Sequence, residues 1–300
     1  MENATTENPA QEVDVQAQID KIVEKADKTE LASIKSVVLG VVRIINDPHS
    51  TIKDLKEIIE IDPPLTAKVL TVANSVYYGT PRRINAIDQA VVWIGFDALK
   101  EITLNQKVCE IYHRKTKIED YSRLLLWRHS VATALLGKMI YRREFRQRGE
   151  NVYAAGLIHD IGMIVEDQFC EDEFAEVLKR MKKENLNMVE VEREVLGFDH
   201  GDLGKAISTH WNLPPDLILS IGHHHDPRRV DHNHLRMAMT LFLANYLVQQ
   251  AGIGFVDSPQ RNHKIFNHCM EALKLNESSL NLIVKDMKDE FAKLEDQGFF

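Results

Sequence analysis

Histidine is concentrated in one stretch of this 300-residue chain. Seven of its thirteen histidines fall between His200 and His234, and three are consecutive, His223-His224-His225. Upstream, a His159-Asp160 pair interrupts the apolar run Ala154 to Val165, and His129 stands in Trp127-Arg-His129 near the start of an apolar helical stretch. Imidazole and carboxylate are the side chains that hold Zn, Mn, Fe and similar divalent ions. A charged pair inside an apolar run is costly unless it is paired or metal-bound. Consecutive helical residues lie about 100° apart, so both members of His159-Asp160 can reach one interhelical cavity. The candidate ligands are therefore His129, His159, Asp160, His200, His224 and His225, with His159 and Asp160 the candidates for any catalytic role. His49, His113, His263 and His268 lack such company and read as solvated or capping groups at helix ends.

Such ligands converge only if several helices carry them, and the apolar spacing is helical throughout. Ile34, Val37, Val38, Val41 and Ile45 follow the i, i+3, i+4, i+7 rule. Thr51-Ile-Lys-Asp54 is a capping box ahead of Leu55, Ile58 and Ile59, and Asp62-Pro-Pro stops that helix. A helix from about Asn85 is expected to run past Gly95 to Ile111, and another to span Val152 to Val165. The tail Ser278 to Leu294 carries Leu280, Ile283, Val284, Met287, Phe291 and Leu294 on one stripe, suited either to its own core or to another subunit. The fold class is all-α. Residues 1–18 are expected to be a disordered leader and 19–115 an N-terminal helical part. Across the charged stretch 113–120, a second helical part is expected over 120–255, then a C-terminal helical extension over 256–300.

Composition narrows the function classes. With 37 basic and 45 acidic residues the net charge is −8, which disfavours binding to nucleic acid, where basic groups replace counterions. Only 14 Gly and 9 Pro leave little material for the turns of an all-β protein. Cys109, Cys170 and Cys269 are scattered and form no CxxC, so a disulfide framework or thiolate zinc site is not expected and a reducing cytoplasm fits. No apolar run is long enough to span a membrane, and the N-terminus lacks a signal-peptide pattern.

The combined motifs resemble one family. In the first half they are Ile58-Ile-Glu-Ile-Asp-Pro-Pro-Leu-Thr-Ala-Lys-Val-Leu70, Ala73-Asn-Ser-Val-Tyr-Tyr-Gly79 and Ile84-Asn-Ala-Ile-Asp-Gln-Ala-Val-Val-Trp-Ile-Gly95. In the second half they are Trp127-Arg-His-Ser130, Ala155-Gly-Leu-Ile-His-Asp-Ile-Gly162, Gly197-Phe-Asp-His-Gly-Asp-Leu-Gly204, Trp211-Asn-Leu-Pro214 and His224-His-Asp-Pro227. Over about residues 25–255 the chain resembles the HDOD family, the HD-related output domains of bacterial signalling proteins, and through it the HD superfamily of metal phosphohydrolases.

The resemblance implies an N-terminal helical bundle packed on an HD-like helical subdomain. It also implies a divalent ion, Fe, Mn, Zn, Ni or Co, held by His129 and the His159-Asp160 pair, with His200, His224 and His225 matching the added histidines of binuclear members. His223 lies where the pattern tends to be aromatic and stays outside the set. The late aspartate of the pattern is matched by Asn245, a neutral amide on the stripe of Met237, Leu241, Ala244 and Val248, expected to face the interior. After His225, Asp226-Pro-Arg-Arg229 replaces the Gly-Tyr-Pro of the cyclic-di-GMP phosphodiesterase branch. The function implied is a cytoplasmic regulatory module acting mainly through signalling-protein partners, with a residual metal site. The alternative is a metal-dependent phosphohydrolase acting on a nucleotide or other phosphate ester, and a third is a scaffold that binds a nucleotide or phosphate ligand without cleaving it.

Overall fold

The computed structural model of the chain describes residues 9–257 and 262–296. It is all-α apart from one antiparallel pair of two-residue strands, β1 (Lys117–Ile118) and β2 (Tyr121–Ser122), inside the charged stretch. The expected leader splits in two: residues 1–8 lie outside the described residues, whereas Pro9–Ala26 forms helix α1. The correction has a simple cause. Val15, Ile19, Ile22, Val23 and Ala26 form one apolar stripe, and α1 lays it across the second half of the chain. Residues 258–261 and 297–300 of the expected extension also lie outside the described residues.

The N-terminal bundle comprises α2 (Glu30–Asn46), α3 (Ile52–Glu60), α4 (Pro63–Ala73), α5 (Ile87–Ile94) and α6 (Phe96–Val108). Thr51 N–H donates to the Asp54 carboxylate at 2.6 Å, as the capping box requires. The helix expected to run from Asn85 to Ile111 is broken instead. Gly95 adopts φ +90°, which the α-helix cannot contain, and the chain restarts as α6.

The second half is built on α7 (Arg123–Glu144) and α14 (Leu235–Gln250), both buried on nearly every side. Around them pack α8 (Glu150–Ile158), α9 (Ile161–Phe169), α10 (Glu171–Glu184), α11 (Met188–Val195), α12 (His200–His210) and α13 (Pro215–Gly222). Helix α15 (His263–Ala272) rests on α14, and α16 (Glu277–Asp296) lays Leu280, Ile283, Met287 and Phe291 down with α7 as its partner, so the tail covers its own chain. Helices α2 and α6 both touch α8, and one apolar core runs through both halves.

Two ion pairs brace this frame. Arg123, 1% exposed, pairs with Asp167 of α9 and donates to the Ile111 carbonyl at 2.7 Å. Asp62 caps α4 by accepting from Leu65 N–H at 3.0 Å and also accepts from the buried Lys107 ammonium at 2.7 Å. Burial alone would raise the Asp62 carboxyl, but the bonds from Lys107 and Leu65 outweigh it and hold it below its ordinary value. That stabilisation is present above the unfolded carboxylate range and is lost as pH falls through the lowered folded value. Asp62→Ala should therefore cost about 1–2 kcal/mol at neutral pH. Urea unfolding should show the deficit shrinking on acidification, and a pH-independent deficit would contradict this account.

Candidate metal centre

The His159-Asp160 pair does not sit on a continuous helix. Helix α8 ends at Ile158 and α9 begins at Ile161, with Asp160 at φ −95°, ψ 20°. The break corrects the expected Val152–Val165 helix. It aims both side chains at the same interior point, with His159 0% and Asp160 2% exposed.

Asp160 then stands between two groups of imidazoles. Its Oδ2 lies 3.1 Å from His159 Nε2 and 3.8 Å from His129 Nε2. Its Oδ1 lies 3.4 Å from His224 Nε2 and 3.8 Å from His200 Nε2. His200 Nε2 is 3.3 Å from His224 Nε2 and 2.7 Å from His225 Nε2. Two tetrahedral ligands each 2.0–2.1 Å from an ion lie about 3.3 Å apart, so these spacings are those of atoms able to share an ion. All six candidate residues are brought together, as one trio of His129, His159 and Asp160 and another of His200, His224 and His225. His223 stands apart, near Lys205, and His263 bonds the Tyr246 hydroxyl.

The far side of each ring fixes what the near side can do. His159 Nδ1 meets the Gly156 carbonyl at 2.9 Å and His224 Nδ1 meets the Ile221 carbonyl at 2.6 Å. His200 Nδ1 meets both Glu192 carboxylate oxygens at 2.9 and 2.8 Å. A carbonyl or carboxylate can only accept, so each Nδ1 is an N–H, and in His159 and His224 this tautomer leaves the Nε2 lone pair facing the centre. Carbonyl and carboxylate partners of this kind orient histidines that ligate metals. The near side is correspondingly unsatisfied: both His129 nitrogens, His159 Nε2 and Asp160 Oδ1 are buried without a hydrogen-bond partner. Orphaned acceptors are expensive, and a cation satisfies them together. The residues present fit a divalent ion.

Electrostatics agree. Burial lowers His129, and His224 lies well below its ordinary value for the same reason. Burial, then the neighbouring His200, brings His225 down to about 4. Burial would lower His200 as well, but Glu192 outweighs it and the ring is pushed up to about 10. Three rings thus keep free lone pairs at neutral pH, and the fourth marks where positive charge is most favoured.

Three acidic residues here escaped the sequence reading. Glu192 is fully buried behind His200. Its signal was present, since it interrupts the stripe Met188, Val191, Glu192, Val195. Glu166 is fully buried near Glu192, and burial followed by that neighbour raises its carboxyl well above the usual range. Asp257 is 3% exposed, with Oδ2 3.6 Å from His225 Nε2. It follows a glycine-containing turn without periodicity, and the expected boundary at 255 separated it from the residues it faces. Asn245, 4% exposed, accepts from Gln249 Nε2 at 2.9 Å. A cleft of about 270 Å³ opens beside His224, His225, Asn245 and Asp257, with Arg228 also lining it.

Close packing sets the spacing of the two trios. A Cβ on Gly162 would lie 2.0 Å from the His200 carbonyl oxygen, so α9 and α12 meet where only hydrogen fits. Gly162→Ala should cost roughly 1–3 kcal/mol and weaken metal retention by moving Asp160 away from His200. Melting with and without EDTA checks both, and a variant that melts and binds like the parent would contradict the packing argument.

The HDOD domain family model matches residues 31–227. A crystal structure of an HDOD domain protein with unknown function from Geobacter sulfurreducens is 26% identical, covers 88% of this chain and 92% of its own, and superposes with a TM-score of 0.75. A provisionally named phosphohydrolase from Shewanella amazonensis shares the fold at 20% identity and a TM-score of 0.65, covering 93% of this chain and 95% of that one. An uncharacterised Treponema pallidum protein is 22% identical over 240 residues, 79% of this chain, and the chain spans about half of its length, 46%. By the extent of the family match and the fold it shares with these proteins, the chain belongs to the HDOD domain family.

Proposed function

We propose that this chain is a cytoplasmic bacterial signalling module of the HDOD type, built around a divalent-metal centre and working mainly through contacts with a signalling protein. The observation that carries the metal reading is the convergence of the Nε2 atoms of His159, His200 and His224 on Asp160, each ring tied back through Nδ1. His129, His159 and Asp160 would hold one ion, and His200, His224 and His225 a second. Support for a protein contact comes from the N-terminal bundle. Ile61, Val76 and Val92 are each 84% exposed and Trp93 is 50% exposed, an apolar display that a partner would cover. No helix among the described residues is long and apolar enough to cross a membrane, and all three cysteines are free.

The second reading is a metal-dependent phosphohydrolase acting on a nucleotide or other phosphate ester. The cleft favours it, because His225 and Asp257 reach the centre from one side of the same opening that Arg228 lines. When bound, divalent ions polarise phosphoryl oxygens and make water a nucleophile near neutral pH. The chain's own part would be to place the ester. Arg228, now held by the Asp226 carboxylate at 2.7 and 2.9 Å, offers a guanidinium to a phosphate, and the buried walls keep bulk water away. Asn245 presents an amide, neither acid nor base, so acid–base work falls to the histidines and the carboxylates.

Elemental analysis of protein purified without added metal tests the first reading. Near-stoichiometric Mn, Fe, Co, Ni or Zn is expected, and His159→Ala should lose the ion of its own trio while remaining folded. Metal-free protein that takes up none of these ions would sink both readings. Assays on nucleotides, cyclic dinucleotides and a generic phosphodiester then separate them, since turnover abolished by His159→Ala would establish the second.

A further inference from the structure

The centre as assembled from the two trios is short of negative charge. Two divalent ions bring four positive charges, while the trios supply a single carboxylate, Asp160, and otherwise neutral rings. Glu192 acts only through His200. Uncompensated charge in a site this buried is costly, and rings alone do not remove it.

Asp257 is an acidic group that faces the His225 ring. It is 3% exposed, and its Oδ1 is buried without a hydrogen-bond partner. Its Oδ2 stands 3.6 Å from His225 Nε2, close to the roughly 3.3 Å separating two ligands of one tetrahedral ion. Its position is held by the backbone. Phe255 N–H donates to the Leu125 carbonyl at 3.1 Å, which anchors the turn to α7 one helical turn before His129. The Asp257 carbonyl accepts from Met188 N–H at 2.9 Å, at the start of α11. Helix α11 also carries Glu192, so one short helix sets both the ring of His200 and the carboxylate facing His225. The carboxylate is thus fastened through its main chain, with the Gln249 amide bonded to it, Oδ2 facing the His225 imidazole and Oδ1 without a hydrogen-bond partner.

We propose that Asp257 is the acidic ligand of the ion held by His200, His224 and His225, an assignment that rests on the metal reading above. The turn 252–257 thereby belongs to the site, and the centre carries one carboxylate between its two halves and another at its open side.

Titration of the full metal-free chain with Co²⁺, followed by visible absorption and by bound-metal stoichiometry, tests it. The parent should bind two ions. Asp257→Asn should keep one and weaken the other roughly 10–100-fold, the range seen when groups supporting a metal site are removed. His159→Ala should weaken the opposite ion, and Asp257→Glu should keep both while altering the absorption envelope. If Asp257→Asn fails to fold by circular dichroism, Asp257→Glu carries the test, and a spectrum and affinity identical to the parent's overturn the proposal. An Asp257→Asn protein that binds both ions like the parent also overturns it and leaves the metal reading standing. A parent that binds no Co²⁺ removes the metal reading and the assignment with it.

Discussion

The fold is organised by the need to satisfy Asp160, a carboxylate almost wholly removed from solvent and flanked on each oxygen by imidazole nitrogens. Burying a charge this deeply is tolerable only where opposite charge or directed donors surround it. Four different helices or their ends supply the surroundings: α7 brings His129, the α8–α9 break brings His159, the start of α12 brings His200, and the end of α13 brings His224 and His225. The close approach of α9 to α12 at Gly162 and the burial of α7 and α14 in the apolar core hold those groups in place. Loosening any of these contacts leaves several acceptors facing one another in a low-dielectric interior, where their mutual repulsion is strongest.

Much of this was legible in the residues. The helical spacing, the Thr51 cap, the proline stop after Asp62 and the amphipathic tail all announce helices, because local sterics and one-sided burial leave a periodic trace. The six ligand candidates announced themselves by company, as polar groups set into apolar runs. What escaped was whatever depends on chain direction rather than pattern. Gly95 and the His159-Asp160 step each split a stretch whose apolar spacing continues unbroken, since periodicity records which side is buried and not whether the axis turns. Asp257 left no trace, because a residue after a short turn has no period to interrupt. Glu192 did interrupt one, on a short helix where Glu190, Arg193 and Glu194 surround it in sequence.

Family membership and site chemistry bear on each other. The sequence resemblance implies an acid at the position of Asn245, which is a neutral amide. Three of the rings are held through Nδ1, His159 and His224 by main-chain carbonyls and His200 by the Glu192 carboxylate.

Arg123 carries a mechanical consequence. Its guanidinium joins the Ile111 carbonyl, at the end of the N-terminal bundle, to Asp167 on the helix that follows Asp160. The strand hairpin and charged connector between residues 113 and 122 are thus bypassed by a stiff strut. The two halves are therefore tied at this joint by a buried guanidinium as well as by the apolar core they share.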